Sequence, residues 1–101
     1  MRIYVIGPVT GVEADNRPAF EEAAKRLDDA GYTAFIPHWF IKAGTPWAPA
    51  MRRSIETLMY CEGVAALEGF GSSRGARIEA DLAAELGIPV RSVDDWIGGA
   101  A

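Results

Sequence analysis

Four short apolar runs alternate along the chain with three segments of helical periodicity. The runs are Arg2–Ile6, Thr33–Ile36, Val64–Leu67 and Ile88–Val90. Short apolar runs separated by helix-length segments are typical of parallel strands joined by crossover helices. The pattern therefore predicts an α/β fold, with an open parallel sheet of four or five strands and helices on both of its faces.

The first two helices are predicted from their end signals. In the first, Asn16 is a candidate N-cap, Pro18 lies in the first turn and Gly31 ends the helix. The second helix is expected to begin after Pro49 and to run to about Cys61, with apolar residues spaced to face the sheet.

The third helix is expected to start from Ser73 as its N-cap and to end before Gly87. The tail Ser92–Ile97 is expected to add one further turn, with Trp96 packing back onto the chain or onto a neighbour. The segment Pro37–Pro49 is predicted to be a loop, and its load of aromatic residues suits either a core cap or a ligand site.

Composition limits the classes of partner. The 101 residues suffice for one domain, 1–101, and carry a formal net charge of −4. The longest basic cluster is Arg52-Arg53, so the chain lacks the electrostatic footprint of a protein that binds a nucleic acid polymer. One cysteine, Cys61, and one histidine, His38, exclude an internal disulfide and a structural zinc site.

The apolar start of the chain stops at Gly7-Pro8, which is too short for a signal sequence. No apolar run approaches the ~20 residues of a membrane span. The sequence therefore predicts a cytoplasmic protein without a membrane partner.

In an open parallel sheet, ligands bind beyond the carboxyl ends of the strands. The loops expected there are Gly7–Asp15, Pro37–Pro49 and Glu68–Ser73. The third loop leads to Ser73 and Gly75 at a helix start, where free N–H groups, the helix dipole and a hydroxyl favour an anion such as phosphate. Helix capping explains Ser73 equally well, and packing against the sheet explains Gly75.

Glu79 lies on the apolar stripe of the third helix, with no basic residue one turn away. Burial there raises the pKa of a carboxyl group and makes it a candidate nucleophile or base. The alternative is a carboxylate at the rim of a cleft that reaches water. Tyr4 either holds this carboxylate through its hydroxyl or only packs its ring. Gly7 and Gly11 do not match GxGxxG, so no nicotinamide cofactor is expected.

Three ordered motifs carry a family resemblance: Ile3-Tyr4-Val5-Ile6-Gly7-Pro8, Met51-Arg52-Arg53, and Ser72-Ser73-Arg74-Gly75-Ala76-Arg77-Ile78-Glu79. From Arg2 to about Val90 the chain resembles the nucleoside 2-deoxyribosyltransferase-like superfamily, and within it a small phage and bacterial branch related to nucleoside 5′-monophosphate N-glycosidases. The resemblance implies a flavodoxin-like, Rossmann-like three-layer sandwich.

The resemblance also implies roles for single residues. Glu79 matches the glutamate that attacks C1′ of a nucleoside, displaces the base and forms a glycosyl-enzyme ester, and Tyr4 matches the tyrosine that orients it. Ser73 stands where free-nucleoside transferases carry an aspartate and monophosphate N-glycosidases a serine that binds the 5′-phosphate. No metal or organic cofactor is implied. The phosphate-binding set is then Gly7, Pro8, Ser72, Ser73, Arg74 and Gly75.

One position departs from the superfamily pattern. Ser54 stands where members usually carry an aspartate that assists at the base or sugar. A serine cannot serve as a carboxylate acid or base near pH 7, so the change affects hydrolysis more than binding. Ser54, Trp39 and Trp47 are the residues expected on the base side of the site.

The sequence thus predicts a nucleoside 5′-monophosphate N-glycosidase or a related deoxyribosyltransferase. The alternative is a nucleotide-binding protein, sensing or sequestering, whose chemistry is lost at Ser54. A third interpretation is an interaction subunit in which Trp39, Trp47 and Trp96 anchor an interface. A homodimer or higher homo-oligomer is expected, with Pro37–Pro49 as the pocket wall and the contact.

Overall fold

The computed structural model describes residues 1–98, so residues 99–101 of the predicted domain lie outside it. One parallel sheet has the strand order β2-β1-β3-β4. Its strands are β1 (Arg2–Ile6), β2 (Thr33–Phe35), β3 (Gly63–Ala66) and β4 (Val90–Ser92). The helices are α1 (Arg17–Asp29), α2 (Trp47–Met59), α3 (Arg74–Glu85) and α4 (Val93–Gly98), with short 3-10 turns at Glu13–Asn16, Pro37–Trp39 and Phe70–Ser72.

The sheet is covered on both faces, because neighbouring residues of a strand point to opposite sides. On one face Ile3 and Val5 of β1 pack with α1 and α4. On the other face Tyr4 and Ile6 pack with Leu58 of α2 and with α3. The predicted three-layer α/β architecture is confirmed, with four strands within residues 1–98.

Several predicted boundaries differ from the observed ones by one to three residues, and two of the differences have identifiable reasons. Helix α2 begins at Trp47 and already contains Pro49, which the first turn accepts because its N–H groups have no helical partner. Strand β4 begins at Val90 instead of Ile88. The Ile88 N–H donates to the carbonyl of Ala83 at 2.8 Å, so this residue still belongs to the turn that ends α3.

The side chain of Asn16 does not cap α1, contrary to the prediction. The residue has a left-handed backbone, with φ of 58°, and makes no capping hydrogen bond. Its Nδ2 instead donates to the carbonyl of Pro8 at 2.9 Å. Asn16 therefore ties the start of α1 to the segment that follows β1.

The tail packs back onto the sheet, which is one of the two predicted outcomes. Trp96 of α4 is buried, and its Nε1 donates to the carbonyl of Val64 at 2.7 Å. The ring lies against Gly63, where a Cβ would come within 2.7 Å of it. Within residues 1–98 no helix has the length and apolarity needed to cross a bilayer.

Candidate active site

A cleft of about 460 Å³ opens at the carboxyl end of β1. This central strand has β2 on one side and β3 on the other, so the chain order reverses there, as at the ligand-binding crevice of open α/β sheets. The end of β1, the segments after β1 and β2, the start of α1 and the N-terminal halves of α2 and α3 line the cleft. Of the predicted site residues, those in its lining are Gly7, Ser54, Ser73, Gly75, Trp47 and Glu79.

Glu79 lies on the buried stripe of α3 and is only 6% exposed. Among residues 1–98 no cation pairs with it, so burial dominates and raises the pKa of its carboxyl group to about 7. The hydrogen bond from Ser54 acts in the opposite direction, since it stabilises the ionised form. Near neutral pH this carboxyl group therefore exists in both protonation states.

Ser54 of α2 joins Glu79 to Tyr4. Its hydroxyl donates to Oε2 of Glu79, and the Tyr4 hydroxyl lies 2.5 Å from the Ser54 oxygen. A serine has one hydroxyl proton, so when that proton goes to Glu79 the phenol must donate to Ser54. Burial, and then the charge of Glu79, raise the pKa of Tyr4 and keep its phenol protonated. Tyr4 therefore reaches the glutamate through Ser54, not directly as the resemblance implied.

Ser73 caps α3, as predicted. Its Oγ accepts a hydrogen bond from the Ala76 N–H at 3.2 Å, and the residue is part of the cleft lining. The N–H groups of Arg74 and Gly75 have no helical carbonyl to donate to, because they begin the helix. Capping uses only the oxygen of Ser73, which leaves its hydroxyl proton available to an anion at this end of the cleft.

The packing of the helices explains why position 75 is a glycine. A Cβ at this position would come within 2.9 Å of the Met51 sulfur and 3.9 Å of Trp47 Nε1. The glycine thus permits close packing of α2 on α3. The structural explanation expected from the sequence was packing of Gly75 against the sheet. Gly75 also lines the cleft, so a close approach by a ligand remains compatible with it.

Five of the predicted site residues lie outside the lining, among them Tyr4, which is fully buried. The Arg74 guanidinium stacks on the Trp47 ring, 4.1 Å from its centroid. The Ser72 hydroxyl donates to the Gly69 carbonyl at 2.8 Å. The other two are Pro8, whose carbonyl accepts from Asn16, and Trp39, which is 48% exposed on the surface.

The cleft also contains charged residues that belong to none of the sequence motifs: Asp15, Arg17 and Lys42. Arg17 forms an ion pair with Glu21 at 3.1 Å, whereas within residues 1–98 no carboxylate lies within 4.0 Å of Lys42. Asp15 and Lys42 lie in two of the loops expected at the carboxyl ends of the strands, but nothing in the sequences of these loops distinguishes the two residues. Among the described residues, no group of three or more His, Cys, Asp or Glu is arranged to hold a metal ion.

Comparison with solved structures gives a match to a 2-deoxyribosyltransferase from the psychrotolerant bacterium Bacillus psychrosaccharolyticus. The TM-score is 0.69 at 20% sequence identity, over 89% of this chain and 69% of that one. The chain therefore shares its fold with this 2-deoxyribosyltransferase, which confirms the fold that the resemblance implied. Residues 1–92 match the model of a domain of unknown function, DUF4406, and the chain belongs to this family. A search of curated proteins gives no match.

Proposed function

We propose that the protein is a nucleoside 5′-monophosphate N-glycosidase, or a related deoxyribosyltransferase, with Glu79 as its nucleophile. The observation that carries this proposal is the buried carboxyl group of Glu79, which has no ion-pair partner within residues 1–98, in a cleft that also contains the N-terminus of α3. A carboxylate released from water is a stronger nucleophile, and a helix N-terminus attracts a phosphate. The structural match to a 2-deoxyribosyltransferase supports the same reaction class.

In the proposed first step, Glu79 attacks C1′ while the bond from C1′ to the base nitrogen breaks. Ser54 holds Oε2, so Oε1 is the oxygen left for the attack. In the second step, water or another base attacks C1′ and the ester bond to Glu79 breaks. Ser54 then donates to the departing carboxylate, which makes Glu79 a better leaving group.

The proposed substrate carries a 5′-phosphate, which Ser73 and the first N–H groups of α3 would bind. Lys42 supports this choice, because it brings to the same cleft a positive charge that no carboxylate within residues 1–98 neutralises. An aspartate at position 73 would repel the phosphate, whereas a serine hydroxyl donates to it. Arg74 contributes by holding Trp47, and with it the start of α2, against α3.

The second candidate function is nucleotide binding without turnover. The observation in its favour is that Ser54, whose hydroxyl proton goes to Glu79, has no proton left for a departing base. A binding protein would keep the phosphate subsite and the cleft but release no free base.

The proposal also includes self-association. Trp39 and Phe40 are exposed next to the cleft segment 41–45, and Tyr60 is 62% exposed near the same sheet edge. Aromatic residues of this kind anchor interfaces. Sedimentation equilibrium of the wild-type chain and of W39S tests this, and a wild-type monomer at all concentrations would contradict it.

The function is tested by chromatographic detection of free base released from ribo- and deoxyribonucleoside 5′-monophosphates, with unphosphorylated nucleosides alongside. We expect release from a monophosphate, and none by Glu79→Ala. A matched control is Glu56→Gln, because Glu56 is exposed and outside the cleft. Tight binding of a monophosphate without release over hours would support the binding protein instead, and neither binding nor release would overturn both.

A further inference from the structure

Three consecutive non-glycine residues have a left-handed backbone conformation. Ala14, Asp15 and Asn16 have φ values of 54°, 54° and 58°. This region is sparsely populated for residues with a Cβ, and a run of three is unusual even where asparagine and aspartate tolerate it singly. Backbone strain persists where surrounding contacts impose it, and it concentrates at functional sites.

Two side chains hold this turn in place. Asn16 donates to the Pro8 carbonyl at 2.9 Å, and His38 Nε2 lies 2.8 Å from the Asp15 carbonyl oxygen. A carbonyl oxygen only accepts, so Nε2 carries the proton of this imidazole. The ring of His38 packs on Phe20, with centroids 4.6 Å apart. The turn is therefore fixed from the ends of both β1 and β2.

The turn places a second acidic residue in the lining of the cleft. Asp15 and Glu79 are the acidic residues in its lining within residues 1–98. No hydrogen bond or ion pair in this part of the chain engages the Asp15 carboxylate. The contacts that hold the strained turn use the Asn16 side chain and the Asp15 carbonyl, so the exposed Asp15 carboxylate remains available to a ligand in the cleft.

The proposed cleavage needs a proton donor, because breaking the bond to C1′ leaves an electron pair on the base nitrogen. Ser54 and Tyr4 donate along the buried chain that ends at Glu79. His38 donates to Asp15, and its Nδ1 is buried without a partner. Lys42 is already assigned to the 5′-phosphate of the proposed substrate. Asp15 is the remaining acid of the cleft.

We propose that Asp15 is the acid–base residue of this site, a role that rests on the proposed glycosidase function. In the first step the Asp15 carboxylic acid gives its proton to the base nitrogen as the bond from C1′ breaks and Glu79 bonds to C1′. In the second step the Asp15 carboxylate takes a proton from the water whose oxygen bonds to C1′, as the ester to Glu79 breaks. Both carboxyl groups return to their starting state.

The test compares two substrates in single turnovers with enzyme in excess, so that base release reports the first step alone. One substrate is an unmodified purine nucleoside 5′-monophosphate. The other carries a methyl group on N7, and its cationic base departs without receiving a proton. We expect Asp15→Asn to slow release from the unmodified substrate by about 100-fold or more and to leave the methylated one within a few-fold of wild type.

Glu13→Gln is the matched control, because Glu13 lies in the same turn but outside the cleft lining, and both rates should stay at the wild-type value. Asp15→Asn should also unfold at the wild-type temperature, since no side-chain hydrogen bond or ion pair within residues 1–98 is lost. Equal slowing of both substrates, or no slowing of either, would overturn the role of Asp15 while leaving the glycosidase function intact. Absence of release by the wild-type chain from either substrate would overturn both.

Discussion

Ser54 of α2 donates a hydrogen bond to Glu79 of α3, and the two side chains are 5% and 6% exposed. Within residues 1–98 these two are the polar or charged residues that are buried. The bond crosses between the two helices that cover one face of the sheet, so the geometry of the proposed nucleophile depends on how those helices pack. Met51 and Gly75 are part of that packing.

The first prediction concerns the burial of Glu79. A folded-state pKa of about 7, against an ordinary 4.5, means that the folded protein binds more protons than the unfolded chain between these values. The free energy of unfolding therefore falls as the pH rises from about 4.5 to 7. Glu79→Gln removes this loss and should be more stable than wild type at pH 8, by up to about 3 kcal/mol.

Urea denaturation of the wild type and of Glu79→Gln at pH 5 and pH 8 measures how the stability of each protein depends on pH and how the two proteins differ at pH 8. Glu56→Gln, at an exposed position of α2, should follow the wild-type curve at each pH. An identical pH dependence in wild type and Glu79→Gln would contradict the prediction.

The second prediction concerns the chain from Tyr4 through Ser54 to Glu79. Ser54→Ala leaves a buried phenol without a partner and should cost about 1–3 kcal/mol of stability. Tyr4→Phe keeps the bond from Ser54 to Glu79 and should cost about 0.5–1.5 kcal/mol. The double variant should be no less stable than Ser54→Ala, because removing the phenol also removes the unpaired group. Additive losses in chemical denaturation would argue against the chain.

The loss of Ser54 should also act on Glu79. The hydrogen bond from Ser54 lowers the pKa of Glu79, so Ser54→Ala should raise it further above 7. Carboxyl ¹³C chemical shifts followed through a pH titration measure this directly. A downward shift in Ser54→Ala would show that the hydroxyl does not stabilise the carboxylate.

The third prediction separates capping from phosphate binding at Ser73. Aspartate and asparagine both cap helices well, so Ser73→Asp and Ser73→Asn should keep the stability of the fold within about 0.5 kcal/mol. Only the aspartate adds a negative charge, and it should raise KM for a monophosphate by about 10-fold or more without raising KM for the unphosphorylated nucleoside. Equal effects of the two variants on the monophosphate would contradict electrostatic recognition at this position.

The fourth prediction concerns the packing of α4 on the sheet. In Gly63→Ala the new Cβ would lie 2.7 Å from the Trp96 ring and 2.8 Å from Ile3 Cδ1, so this variant should lose about 1–3 kcal/mol. Gly71→Ala is the matched control, because its Cβ meets nothing within 4 Å. Equal stabilities of the two variants in urea would mean that Trp96 does not pack as described.

Much of the fold follows from local patterns. A continuous apolar run such as Arg2–Ile6 predicts a strand buried on both faces, and Ser73 ahead of a periodic segment predicts a capped helix start. Both features are observed. Element ends were less predictable, since Pro49 is compatible with either the residue before a helix or its first turn.

The candidate site was likewise predictable from the sequence only in part. The amphipathic period of α3 placed Glu79 on the inward face, and the rule for strand ends indicated which loops matter. The hydrogen bond of Ser54 to Glu79, the stacking of Arg74 on Trp47 and the left-handed turn at Asp15 have no signal in any single segment. Each joins parts of the chain that are distant in sequence or depends on contacts made by another loop.

The sequence by itself thus determined the layers, the parallel sheet and the position of Glu79 on the apolar stripe of its helix, because hydrophobic period and end signals act over a few neighbouring residues. Only the tertiary structure decided which polar groups share the cleft: Ser54 between Tyr4 and Glu79, Lys42 in place of Arg74, and Asp15 held by His38. The physical reason is that hydrogen bonds and stacking require positions within a few ångströms, which are set by how helices and loops pack after the elements have formed.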